Sequence, residues 1–291
     1  MDAEAVRTML PSSGTRAKLH LSLFDLPPRQ TKGSRKPAMR LIHKLKKLAD
    51  PRLLRSIRQH TGRFLLTRRF VFRLDPERII AGIDRQQFQA IRERHGVPEP
   101  GDAPEKYLEL RRWVEANIRR VRALELDFGL RRRVLDIGCG AGYFLYICKW
   151  LGHDVLGLDL DESPMFADLT KLLGVRRVIW RIERYVPLPD LGAAFDVVTA
   201  HMICFNDHKT DHVWGPAEWE FFLDDLRQHV RSGGRIHLEF NREFDGTWYT
   251  AELRDYFASR GAIIDQHRVT LTADALAQPA ARLARNSMRS A

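Results

Sequence analysis

The residues able to do chemistry concentrate in one stretch, "RVLDIGCGAGYF…VLGLDLDES", between residues 133 and 163. Gly138, Gly140 and Gly142 follow an apolar run that ends on Asp136, and Asp159 ends a second apolar run. Glycines at this spacing let a chain turn sharply and bring bare backbone amides against a ligand. The pattern is GxGxG, with Tyr143 where a dinucleotide fingerprint puts its last glycine. A P-loop would need GK followed by Ser or Thr, and the first lysine is Lys149. Asp136 would repel a pyrophosphate and welcome an ammonium group. Asp159 stands 21 residues after Gly138, close to the roughly 20-residue spacing at which an acid reaches ribose hydroxyls. The site therefore calls for a ribose at one end and a phosphate-free cationic group at the other, as in S-adenosyl-L-methionine.

The elements that must position these residues alternate along the chain. "RVLDIG", "HDVLGLDL", "RRVIWRI", "FDVVTAHM" and "RIHLEF" read as short apolar strands. "GYFLYICKWLG", "SPMFADLTKLLG", "GPAEWEFFLDDLRQHVRSGG" and "TAELRDYFASRG" read as helices between or after them, and "AIIDQHRVTLT" gives at least one final strand. Strands with apolar residues on both faces, joined by helices, predict an α/β fold with a doubly wound, mostly parallel sheet. Ligands of such sheets bind beyond the carboxyl ends of the strands, where Asp136 and Asp159 lie.

Upstream, "DPERIIAGIDRQQFQAIRERHG" predicts a helical segment capped by Asp75 and begun by Pro76. "EKYLELRRWVEANIRRVRALELDFG" predicts a helix leading into the main domain. Residues 1–38 read as a basic flexible arm, 39–106 as a helical extension, 107–275 as the ligand-binding domain and 276–291 as a frayed tail. Residues 1–75 hold 18 Lys and Arg against 5 Asp and Glu, so the net charge of +11 belongs to this N-terminal quarter. Within it, Leu41, Ile42, Leu45 and Leu48 form an apolar stripe on a basic helix. Such a helix packs on its own domain, lies on an anionic membrane through residues 39–73, or binds nucleic acid. The near-neutral remainder argues against a nucleic-acid binder as a whole. No run reaches the roughly 18–20 apolar residues of a membrane span. Three scattered cysteines exclude a disulfide framework, and a cytoplasmic protein is expected.

"VLDIGCGAG", "VLGLDLDES", "FDVVTAHMICF" and "RSGGRIHLEFN" together resemble motifs of the class I S-adenosylmethionine-dependent methyltransferases, over roughly residues 107–270. The resemblance implies their Rossmann-like fold, S-adenosyl-L-methionine as cofactor, a methionine end facing Asp136, Gly138 and Gly140, and Ile137, Cys139 and Gly142 among the cofactor-binding residues. It further implies Asp159 on the ribose hydroxyls, Leu160 near the adenine, and Ile182 or Glu183 at the adenine amino group. We take Glu183 as the expected residue.

For the transfer itself, "TAHMICFNDHKTDHVWGPAEW" holds the densest polar cluster. His201, at the end of the fourth strand, is the expected general base for a hydroxyl acceptor. His208 and His212 stand four apart without an HExxH frame, and no metal is expected. Trp214 and Trp219 line a substrate surface or belong to the core, and Asn241 and Glu243 are secondary pocket candidates. The expected activity is O-methylation of a small-molecule or glycan-like acceptor. The alternatives are an RNA or protein methyltransferase docking through the basic arm, and a non-catalytic cofactor- or partner-binding module.

Overall fold

The computed structural model describes residues 74–96 and 104–277. The basic arm, the amphipathic segment proposed for membrane contact, and most of the tail lie outside them.

Local caps decide the first elements. The Asp75 side chain accepts from Glu77 N–H at 3.1 Å and Pro76 opens α1 (Pro76–Ile80). The helical segment expected here is two helices rather than one. Asp84 offers its carboxylate to the amides of Gln86 and Gln87 at 2.9 and 3.0 Å and starts α2 (Arg85–His95), which ends at Gly96. A second N-cap inside the segment competes with helix continuation. A 3₁₀ turn (Pro104–Leu108), which contains the expected boundary between extension and domain, precedes α3 (Leu110–Ala123). Val114, Asn117, Ile118 and Val121 form the buried face of α3.

The sheet follows the predicted alternation: β1 (Arg133–Ile137), α4 (Tyr143–Trp150), β2 (Asp154–Asp159), α5 (Pro164–Leu172), β3 (Arg177–Ile179), β4 (Phe195–Ile203), α6 (Pro216–Gln228), β5 (Val230–Phe240), α7 (Ala251–Ser259), β6 (Ile263–Asp265), β7 (Arg268–Thr272) and α8 (Ala273–Leu276). Spatial order is β3-β2-β1-β4-β5-β7-β6; β1–β5 pair in parallel, and β7 runs antiparallel to both β5 and β6. The final segment is thus a hairpin of two strands, turning at Gln266 with φ 53°. Residues "RSGG", expected in the preceding helix, lie in β5.

Alternate residues bury on opposite faces. Leu135 and Ile137 of β1 join α6 and α7 in one core, whereas Val134 joins α1–α5 in the other. Trp214 and Trp219 are core residues rather than a substrate surface. Both are buried, and Trp219 packs against Phe222, Phe240 and Phe257. Ile79, Ile83 and Ile91 from α1, α2 and their junction bury in the same cluster as Val114 and Leu145. Among the described residues, no helix is long and apolar enough to cross a membrane.

Candidate active site at the carboxyl ends of the strands

The turn from β1 into α4 works through three glycines with different tasks. Gly138, Gly140 and Gly142 all have positive φ, at 69°, 51° and 77°. A Cβ at Gly138 would meet nothing within 4 Å, so its backbone faces open space. A Cβ at Gly142 would sit 3.0 Å from the Thr170 methyl and 3.5 Å from Val175, so this glycine admits α5. Gly140 donates its amide to Asp159, and Leu160 donates its own to the same carboxylate at 2.7 Å. The carboxylate that ends β2 is thereby locked against the glycine turn. Burial still raises its pKa, against the pull of both amides.

Asp136 is buried, and its Oδ1 accepts from the Thr199 hydroxyl at 2.6 Å across the β1–β4 register. Burial raises its pKa to about 7, against that hydrogen bond and the Arg120 charge. A carboxyl poised there near neutrality ionises readily when a cation arrives.

These groups line one cavity of about 460 Å³. Asp136, Ile137, Gly138, Cys139, Gly140, Gly142, Asp159 and Leu160 all border it, and so does His201. Ile182 borders it too, whereas Glu183 is exposed and does not, so the structure brings the former and not the latter to the site. Tyr107 and Trp113 stack at 4.7 Å and Tyr107 meets Phe166 edge-on, giving the cavity an aromatic wall. The fit to S-adenosylmethionine is favourable: an open glycine backbone, a buried carboxyl for an ammonium and an amide-braced carboxylate for a ribose share one space.

His201 lies on β4 with its side chain 5% exposed, its Nδ1 3.0 Å from Glu239 Oε2 but outside hydrogen-bonding geometry. Nε2 has no partner among the described residues, and Phe144 packs edge-on at 4.8 Å. Burial lowers the imidazole pKa to about 4; the adjacent Glu239 opposes this and Arg120 adds to it. Glu239 also binds Arg120 at 3.0 Å and Arg268 at 3.3 Å, and His237 approaches it at 3.8 Å. Despite burial, the neighbouring His201, His237 and Arg120 hold its carboxyl far below the ordinary range.

His201, His237 and Glu239 offer three ligand-type atoms within 4.8 Å of one another, the group among the described residues that has metal-binding composition. Two guanidiniums already occupy its carboxylate. His208 does not pair with His212 on a helix: its Nδ1 meets Glu243 at 3.0 Å, in a segment of turns. Asn241 donates to the Met202 carbonyl at 2.9 Å and Glu243 accepts from Lys209 N–H at 2.7 Å, so both tie the β4 exit to β5.

Arg120 and Asn117 lie outside the quoted motifs, and Thr199 and Glu239 lie within them without having been expected as site residues. A signal for Glu239 exists: it stands at an alternate position to His237 in "RIHLEF", putting polar groups on one face of a buried strand.

A family model described as a methyltransferase domain matches residues 134–234. The ubiquinone biosynthesis O-methyltransferase of Sinorhizobium medicae is 35% identical over 107 residues, covering 36% of this chain and 40% of that protein. Its counterpart from Acinetobacter baylyi is 29% identical over 110 residues, covering 36% and 42%. The chain thus spans about two fifths of the length of these relatives. A TehB-like SAM-dependent methyltransferase from Corynebacterium glutamicum aligns in structure with a TM-score of 0.40 and 19% identity, over 58% of this chain and 96% of that one. Residues 134–234 thus carry what the family model describes as a methyltransferase domain, on a sheet of 3-2-1-4-5-7-6 strand order.

Proposed function

We propose that this chain catalyses methyl transfer from S-adenosyl-L-methionine to an oxygen of a small-molecule acceptor. The observation that carries the reading is the continuity of the cavity, which runs from the Asp159 carboxylate past Asp136 to His201, Cys204 and Phe205 at the exit of β4. The names of the O-methyltransferase relatives support oxygen as the target.

The cofactor, when bound, supplies an electrophilic methyl on a sulfonium. Asp159, braced by the Gly140 and Leu160 amides, has oxygens to offer the two ribose hydroxyls. Asp136 gives up its proton to hold the ammonium of the amino-acid end. Ile137, Gly138 and Cys139 carry backbone past that end, while Leu160 and Ile182 pack at the adenine. The Tyr107, Trp113 and Phe166 rings exclude water and restrict the acceptor to a line of attack.

His201 is the proposed base. An imidazole with pKa about 4 is neutral at pH 7 and able to accept a proton. Glu239 beside Nδ1 stabilises the imidazolium that forms. The rings packed on His201, Phe144 among them, have to shift for a hydroxyl to reach Nε2.

The test is label transfer from methyl-labelled cofactor to panels of phenolic, quinol and sugar hydroxyls. We expect an O-methylated product, with His201→Gln lowering kcat roughly 100-fold or more at unchanged cofactor affinity. Absence of any binding of S-adenosylmethionine or S-adenosylhomocysteine by calorimetry sinks the reading.

A further inference from the structure

From Val197 to Ala200, β4 pairs with β5 residue for residue, and then the register slips. Ala200 lies opposite Leu238 and Ile203 opposite Phe240, so three steps along β4 match two along β5. His201 and Met202 both stand opposite Glu239. This is a β-bulge, rare between parallel strands and over-represented next to active sites.

The extra residue decides which side chains reach the cavity. Val198 and Ala200 bury in the core shared with α6 and α7. Under strict alternation Met202 would join them, and Ile203 would turn to the other face. Instead Ile203 is in that core, while Met202 is exposed and borders the cavity beside His201. Met202 carries the strain of this arrangement, with φ at 57° in the left-handed region. Neither ring nitrogen of His201 makes a hydrogen bond among the described residues. Its imidazole lies among Glu239, His237, Arg120 and the Phe144 ring, so packing and the backbone it hangs from set its place.

One side chain covers the kink. Asn241, the residue after β5, donates from Nδ2 to the Met202 carbonyl at 2.9 Å, the Ile203 carbonyl at 3.2 Å and Cys204 Sγ at 3.1 Å. Carbonyl oxygens only accept, so the amide serves here in one orientation. The Cys204 thiol adds a longer contact to the Met202 carbonyl at 3.5 Å. Asn241 does not itself border the cavity.

We propose that Asn241 is a positioning residue for methyl transfer: it clamps the β4 bulge at Met202 and so keeps His201 turned into the cavity. The inference rests on the methyltransferase reading above and adds to it the residue that aims its base.

The test is a double-mutant cycle on the full chain. Asn241→Leu keeps a branched side chain and removes the donors, and Met202→Gly supplies a residue that takes positive φ without strain. Asn241→Leu should lower the denaturation midpoint, and in the Met202→Gly background it should lower it no more than about half as much. The His201 imidazole, followed by NMR, should titrate closer to the ordinary 6.5 in Asn241→Leu and return towards its wild-type value in the double variant. With a hydroxyl acceptor that takes label from the panel, kcat should fall about 10- to 100-fold in Asn241→Leu. S-adenosylhomocysteine affinity should stay within about twofold. Asn241→Asp should match Asn241→Leu at neutral pH, and recover relative to wild type as the pH is lowered and the protonated carboxyl regains an O–H donor.

Equal midpoint losses in the two backgrounds make Asn241 a general brace of the loop and overturn the clamp. An unmoved His201 titration in Asn241→Leu overturns the aiming role, as does a loss of S-adenosylhomocysteine affinity that matches the loss of kcat. A wild-type chain that binds no S-adenosylhomocysteine overturns the methyltransferase reading itself. The cycle and the titration still decide the clamp in that case, so the two failures are distinguishable.

Discussion

The β1–β2 end of the sheet and the β4–β5 end build their halves of the cavity in opposite ways. At β1–β2 the chemistry is packed into 25 consecutive residues, Asp136 to Leu160, and held largely by backbone: glycine dihedrals and two amides on Asp159. At β4–β5 it is assembled from side chains distant in sequence. Arg120, His201, His237, Glu239 and Arg268 meet around one buried carboxylate, which links α3, β4, β5 and β7. The first half has to fit a fixed ligand, and bare amides fit it with few adjustable parts. The second is a network of titratable groups whose charges depend on one another, so its function depends on pH and on partner side chains.

Asp159 is the side chain on which the β1–β2 half depends most. Asp159→Ala removes the oxygens proposed for two ribose hydroxyls and frees the Gly140 and Leu160 amides. We expect S-adenosylhomocysteine affinity to fall about 100- to 1000-fold, as two lost charge-assisted hydrogen bonds imply. A fall below about fivefold by calorimetry removes Asp159 from the cofactor site.

The second half breaks through protons. His201 titrates at about 4 in the native chain against 6.5 for the ordinary group. The unfolded chain thus binds more protons between these values, and stability is lost as pH falls through the window. Asp136 acts with the opposite sign. At about 7 against 3.8, it makes the native state the better proton binder, and its contribution is lost as pH rises towards 7. From pH 4 to 6.5 the two slopes cancel. His201→Gln uncovers Asp136, so relative to wild type the variant should gain on the order of 3 kcal/mol between pH 6.5 and 4. Denaturant titrations at stepped pH read this directly, and parallel curves for variant and wild type refute the shifted imidazole.

The contrast explains what was legible in the sequence. Asp136, Gly138, Gly140 and Asp159 could be placed because strand, turn and helix are local, and the motif spacing is their geometry written along the chain. Glu183 was misplaced beside Ile182 because the segment after the three-residue β3 has no periodicity to set its register. Arg120 and Glu239 meet only after α3 docks on β5, 119 positions apart, and Arg120 carries no local signature. Trp214 and Trp219 stayed open between a substrate surface and the core because composition does not say which face of the sheet an aromatic cluster fills.

Within the backbone-built half, Gly142 and Gly138 differ in what a side chain would meet. Gly142→Ala places a methyl 3.0 Å from Thr170 at φ 77°, and should cost about 1–3 kcal/mol in denaturant stability. Gly138→Ala suffers the strain without the clash. Its expected stability loss is about 1 kcal/mol, with cofactor affinity reduced because the new methyl enters the open side of the turn. A variant pair with interchanged effects would assign the open backbone to the wrong glycine.

The smallest effect is expected where a polar cluster of the second half lies beyond the network. The 3.0 Å contact of His208 with Glu243 ties the β4 exit loop to the segment after β5, and both side chains are only 12% exposed. It shares no residue with the Arg120–Glu239 group. His208→Ala should cost about 1 kcal/mol of stability and leave S-adenosylhomocysteine affinity within about twofold, because the β1–β2 half is built without it. A large loss of cofactor affinity in this variant would mean that the two ends of the sheet are coupled through the β4 exit, and that the division between a backbone-built half and a side-chain-built half does not hold.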